Sequence, residues 1–131
     1  MYIPQVNAKL GQKICSKIYK KELYPFDLVI LGMGNDAHTA SLFPNNEKLK
    51  EAFDLNNEEL CISIKPQTAP YERMSLTLKS ILSATNIFLH IEGKEKIKVY
   101  NEALNSKDIY QTPISAVLNQ SFKKVEVYAY E

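Results

Sequence analysis

"FDLVILGMGNDAHTASLFP", residues 26–44, is the stretch on which the fold turns. It is apolar without a break from Leu28 to Leu31, as a central parallel strand buried on both faces would be. Gly32 and Gly34 then punctuate the chain, and Asp36 and His38 flank a single alanine in the turn. If residues 26–31 are a parallel strand, this turn lies beyond its carboxyl end, where open α/β sheets bind ligands. Glycine there permits positive φ and close approach of backbone to a ligand. "HTASLF" reads as the opening of a short helix stopped by Pro44. A helix start at that place offers free N–H groups to an anion.

The flanking segments fit the same architecture. Val6, Leu10, Ile14 and Ile18 recur at spacing four within 5–23, which predicts a helix with one apolar face. Its lysines, Lys9, Lys13, Lys17, Lys20 and Lys21, read as a solvated face. Residues 45–59 are polar and acidic, a loop with one helical turn around Leu49 to Phe53. Residues 60–64 predict a strand, and 65–73, broken by Pro66 and Pro70, a loop. Met74, Leu76 and Leu78 alternate as a strand does before the chain turns helical at Ile81 and Leu82. Residues 86–93 predict a core strand, 94–105 a helix, 113–120 a short helix beginning at proline, and 124–130 a last strand. Strands separated by helices give an α/β fold, an open, mostly parallel Rossmann-like sheet with helices on both faces. Such a domain more comfortably begins with a strand and its phosphate-binding turn; this chain opens on a helix, so the N-terminal part of the fold is expected to be missing.

With 131 residues, the chain suffices for a single domain, 1–131, with a real core. A net charge of +1 provides no general electrostatic attraction to nucleic acid or to an acidic membrane. No apolar run approaches the roughly 18 residues of a membrane span, and the first residues have no signal-peptide h-region. Cys15 and Cys61 have no CxxC spacing, so neither a zinc site nor a disulfide framework is expected, and two free thiols suit a reducing, cytoplasmic setting.

The chemistry concentrates on His38. Its ordinary pKa near ~6.5 suits a general base at neutral pH. Asp36, two residues away, orients the imidazole or holds the turn by accepting backbone N–H groups. Gly-x-Gly without a third glycine does not make a dinucleotide fingerprint. Ser41 lies three residues past His38, but "GxSxG" is absent, so a Ser-His-Asp triad is a poor reading. His90, among Ile87, Phe88, Leu89 and Ile91, reads as a packed or hydrogen-bonded histidine.

"DLVILGMGNDAHTASLFP" closely resembles the signature of 6-phosphogluconolactonases, typically LGMGxDGHTASLFP. "ERMSLTL" is similar to their "RxTLTL", "IEGKEK" to their "GxxK", and "PISAVL" to a third downstream element. The related glucosamine-6-phosphate deaminases usually continue differently after the histidine, so Thr39 to Pro44 favours the lactonase branch. The resemblance implies a fold shared with phosphosugar isomerases and hydrolysis of 6-phospho-D-glucono-1,5-lactone without metal or organic cofactor. By that resemblance His38 is the catalytic base and Asp36 its partner, Arg73 and Lys96 meet the substrate phosphate, and Gly32, Gly34, Asn35 and Gly93 serve as loop and backbone donors. The competing readings are a non-catalytic or split phosphosugar-binding fragment and a phosphosugar deaminase or isomerase.

The sequence departs from the pattern in two ways. Ala37 stands where "DGH" has glycine; a positive φ there costs roughly 1–2 kcal/mol, and a negative one makes the change mild. The family's N-terminal "GGxTP" phosphate loop and "DER" motif do not occur. The implied partners are therefore the phosphosugar lactone and either an N-terminal half chain or a second copy of this one.

Overall fold

The computed structural model describes residues 7–67 and 71–131, which run through five helices and five strands. Helix α1 (Ala8–Glu22) is followed by β1 (Leu28–Leu31) and α2 (Leu49–Phe53). Strands β2 (Cys61–Ile64) and β3 (Arg73–Leu76) lead into α3 (Leu78–Leu82). The chain continues through β4 (Asn86–Glu92), α4 (Lys94–Asn105), α5 (Ser115–Leu118) and β5 (Val125–Tyr130).

The elements form where local chemistry favours them. Asn7 caps α1 by accepting the Leu10 N–H at 2.9 Å, and Lys20 and Lys21 complement the negative end of its dipole. Thr77 ends β3 and caps α3 by accepting the Ser80 N–H at 3.3 Å, while its hydroxyl donates to the Glu59 carbonyl at 3.0 Å. Gly93, at φ 98°, turns the chain from β4 directly into α4.

The main sheet is parallel, in the order β1-β4-β5. Leu28 to Leu31 pair with Asn86 to Leu89, and Ile87 to Glu92 pair with Val125 to Tyr130. The carboxyl ends of β1 and β4 therefore lie side by side at one edge of the sheet. Strands β2 and β3 form a separate antiparallel pair against which α1 packs. Val29, Leu31, Ile87, Leu89 and Ile91 point from the sheet into one core that also takes in Ile62, Ile64, Ile81, Ile114 and Val117.

The α/β class and the parallel sheet agree with the sequence reading, with four revisions of detail. Strand β1 is not a central strand buried on both faces. It lies at the sheet edge, with Leu28 46% and Ile30 66% exposed. Second, among the described residues one face of the sheet is open: His90 on β4 and Tyr128 and Tyr130 on β5 are exposed there, as are Leu28 and Ile30 on β1. His90 is thus no packed histidine, and its ring lies 6.3 Å from that of Tyr130. Third, no helix follows His38; positive φ at Ala40 (50°) and Asn45 (55°) keeps this segment irregular, and Thr39 bridges Leu42. Fourth, in α1 Cys15 and Ser16 are the buried residues while Leu10 is half exposed, because contact is made with β2 rather than with the main sheet; Val6 falls outside the described residues. No helix among the described residues is long and apolar enough to cross a membrane.

Candidate active site

The turn after β1 is built by its own side chains. The Asp36 carboxylate oxygen Oδ1 accepts the His38 backbone N–H at 3.1 Å and lies 2.6 Å from the His38 ring nitrogen Nδ1. With Nδ1 engaged in this way, Nε2 makes no hydrogen bond among the described residues. Partial burial pushes the Asp36 carboxyl up; the ring and backbone hydrogen bonds from His38, with the charge of its protonated form, outweigh that and hold it below its ordinary value. The imidazole remains about one-third exposed.

Three further contacts fix the turn, one within the loop and two to segments distant in sequence. Thr39 donates its hydroxyl to the Gly32 carbonyl at 2.9 Å, across the neck of the loop. The Ile114 N–H, just before α5, donates to the Ala37 carbonyl at 3.0 Å. The Ser41 N–H donates to Ser75 Oγ at 3.1 Å and so ties the loop to β3. Ala37 has φ 66° and is buried, so the strained alternative left open by the sequence is the one realised.

A cleft of about 360 Å³ opens at this edge, lined by Gly32, Met33, Gly34, His38, Ala40 and Lys96. The structure thus brings Lys96, from the first turn of α4, to the same cavity as His38. Lys94 and Lys96 stand at the positive end of the α4 dipole, where like charge is unfavourable unless an anion is bound. No helix N-terminus follows His38 directly; the helix that reaches this cleft is α4, through Lys96 of its first turn. The Asn35 amide donates to Glu95 Oε2 at 3.1 Å and joins the turn to this helix.

Not every expected residue has its expected role. The Gly34 N–H donates to the His38 carbonyl at 2.9 Å and the Gly93 N–H to the Tyr130 carbonyl at 2.8 Å. Both are donors within the fold and are not free for a ligand. Gly32 borders the cleft, and Asn35 contributes through its side chain. Arg73 opens β3 and lies apart from the residues lining the cleft, with its guanidinium carbon 6.0 Å from the centre of the Phe43 ring. Phe43 was not singled out by the sequence reading; its ring centre is 4.6 Å from that of His38. An aromatic residue five positions after the histidine was the only local signal. Among the described residues, no group of three or more His, Cys, Asp or Glu side chains is placed to hold a metal ion.

The model of a family described as glucosamine-6-phosphate isomerases/6-phosphogluconolactonase matches residues 3–127. The chain is 38% identical over 102 residues to a 6-phosphogluconolactonase of Neisseria meningitidis, covering 78% of this chain and 44% of that protein. It is 40% identical over 101 residues to one from Helicobacter pylori, covering 77% and 43%. A crystal structure of a 6-phosphogluconolactonase from Shewanella baltica matches with a TM-score of 0.87 at 40% identity, covering 95% of this chain and 52% of that one. The chain spans about half the length of these relatives.

Proposed function

Because the chain belongs to the family of glucosamine-6-phosphate isomerases and 6-phosphogluconolactonases, we propose that it hydrolyses 6-phospho-D-glucono-1,5-lactone to 6-phospho-D-gluconate, in the oxidative branch of the pentose phosphate pathway. The observation that carries this reading is the Asp36–His38 pair at the mouth of a cleft that Lys96 also lines.

In the proposed reaction, His38 Nε2 removes a proton from water, and the water oxygen attacks the lactone carbonyl carbon. The carbonyl becomes a tetrahedral oxyanion. As this collapses, the bond to the ring oxygen breaks, and the imidazolium returns its proton to that leaving oxygen. Asp36 keeps Nδ1 protonated and the ring oriented, and it stabilises the imidazolium between the two transfers. Lys96 and the first-turn N–H groups of α4 suit the substrate phosphate, with Arg73 as a further cation from the β3 side. No step calls for a metal or an organic cofactor.

The exposed sheet face bears on partners. On the open face Leu28 and Ile30 are exposed on β1, whose outer edge is unpaired among the described residues, and Tyr128 and Tyr130 are exposed on β5 at the other side of the sheet. A polypeptide carrying the rest of the family fold, or a second copy of this chain, would cover this face. Free, buried Cys15 and Cys61 suit the cytoplasm as the compartment.

The test is hydrolysis of freshly prepared lactone by the purified chain, above the spontaneous rate, beside His38→Ala. A loss of about a hundredfold or more in the variant is expected from removal of a general base. Equal rates for the two proteins would reject His38 as the base. A folded chain without activity would favour the second reading, a phosphosugar-binding half that works only when its open sheet face is covered.

A further inference from the structure

Phe43 takes no part in the proton transfers proposed above, yet its ring stands between the His38 imidazole and the Arg73 guanidinium. Its ring is 4.6 Å from the His38 ring, centre to centre, with 31° between the planes. The Arg73 guanidinium carbon lies 6.0 Å from the centre of the same phenyl ring. These spacings fall within the ranges of aromatic stacking and of cation–π attraction.

The backbone holds Phe43 in this place. Leu42, next to it, is fully buried, and its N–H donates to the Thr39 carbonyl at 2.9 Å. Ser41, two residues earlier, is bonded to Ser75, which lies two residues from Arg73 on β3. The loop carrying the base and the strand carrying the cation therefore meet at this ring.

The hydrogen bond from Nδ1 to Asp36 fixes one atom of the imidazole and leaves its plane free to rock. A ring against its face removes that freedom. Arg73 forms no salt bridge among the described residues, so the Phe43 face is the contact that restrains an otherwise exposed, flexible side chain. We propose that Phe43 is a positioning residue: it sets the plane of the His38 imidazole and holds the Arg73 guanidinium at a fixed distance from it. The spacing between the proton-transferring nitrogen and a cation for the anionic end of the substrate is then built into one stacked unit. This deepens the lactonase reading and rests on it for the roles of His38 and Arg73.

Phe43→Leu removes the π face and keeps most of the apolar volume; Phe43→Tyr keeps the face. The first readout is the nuclear Overhauser contacts of the His38 ring protons with the rest of the turn, in the protein without substrate, because loss of the Phe43 ring current moves their shifts whatever the orientation of the imidazole. Circular dichroism checks folding. The second readout is kcat, KM and the pH–rate profile of lactone hydrolysis. The Leu variant is expected to change those ring contacts, lower kcat about tenfold, raise KM and alter the pH profile, since small misplacement of a catalytic group is costly. The Tyr variant is expected to retain wild-type contacts and kinetics. Unchanged His38 ring contacts in the Leu variant would overturn the proposal, as would a folded Tyr variant with the Leu kinetics. His38→Ala separates the two ideas: activity retained there defeats the base assignment, while the ring contacts of the Leu variant still decide whether Phe43 orients the imidazole. If the Leu variant does not fold, Phe43→Met takes its place with the same expected and overturning results.

Discussion

The His38 imidazole occupies the space where a Gly34 side chain would begin. A Cβ on Gly34 would overlap Nδ1 and Cε1 of His38 and lie 2.6 Å from Asp36 Oδ1. The Gly34 N–H meanwhile donates to the His38 carbonyl, and its own carbonyl accepts the Ala37 N–H at 3.0 Å. Glycine is needed at this position because the turn folds the Asp–His pair back onto it; its φ is not in the left-handed region.

Gly34→Ala is therefore expected to abolish the proposed lactone hydrolysis while the fold persists. The added methyl must displace the imidazole or open the turn, at a cost of about 1–3 kcal/mol as for overpacking elsewhere. Urea denaturation and activity, measured on the same sample, check this. An active Gly34→Ala variant would mean that the site tolerates an imidazole displaced from the position seen here.

Asp36 provides the pH dependence. Its carboxyl is held below the ordinary value of 3.8 in the folded state, so the ionised form favours folding. That contribution is fully present above the ordinary value and is lost as pH falls through the lowered one. The urea midpoint of the wild type should drop between about pH 5 and about pH 2 by more than that of Asp36→Asn. The difference will be modest, because the carboxylate is half exposed and screened by water. Equal acid sensitivity in both proteins would show that other carboxylates account for the acid transition. At neutral pH the Asn variant should also lose the proposed lactonase activity, since an amide does not hold Nδ1 protonated in the same way.

Ala37→Gly should leave stability nearly unchanged. Relief of the left-handed backbone is worth about 1–2 kcal/mol. Against it stand about 0.5–1 kcal/mol of added backbone entropy in the unfolded chain and about 0.8 kcal/mol for a buried methyl. The net lies within about 1 kcal/mol of zero, measurable as the shift of the urea midpoint. A loss of more than about 2 kcal/mol would mean that packing of the Ala37 methyl in the core outweighs backbone strain.

Ile30→Lys examines the open sheet face. With Ile30 66% exposed, the substitution should change the stability of the isolated chain by no more than about 0.5 kcal/mol. It should also suppress any self-association seen by sedimentation. A destabilisation of several kcal/mol at dilute concentration would show that this face is covered in the chain alone.

Much of the fold was legible locally. The alternation in 124–130 and the helical spacing in 94–105 each lie within one element, and both elements form close to where they were read. The strand 28–31 was also legible, but not its place in the sheet. An unbroken apolar run looks the same in a covered central strand as in an edge strand with one face open, because only the neighbouring strands distinguish them. The irregular path after His38 was not legible either, since Ala40 and Asn45 adopt positive φ under constraint from the bonds to Ser75 and Tyr110.

For the site, the sequence by itself determined the Asp36–His38 pair, two residues apart in a glycine turn, and Lys96, three residues after Gly93. Those groups depend on chain neighbours, which every sequence displays. Tertiary structure decided the rest: that Lys96 shares a cleft with His38, that Arg73 stands outside that cleft over the Phe43 ring, and that Gly34 and Gly93 use their N–H groups internally. Each of these is a contact between segments distant along the chain or a backbone bond satisfied by the fold. Such contacts follow from how β1, β3 and β4 are brought together around one core, and no local pattern of residue types specifies that packing.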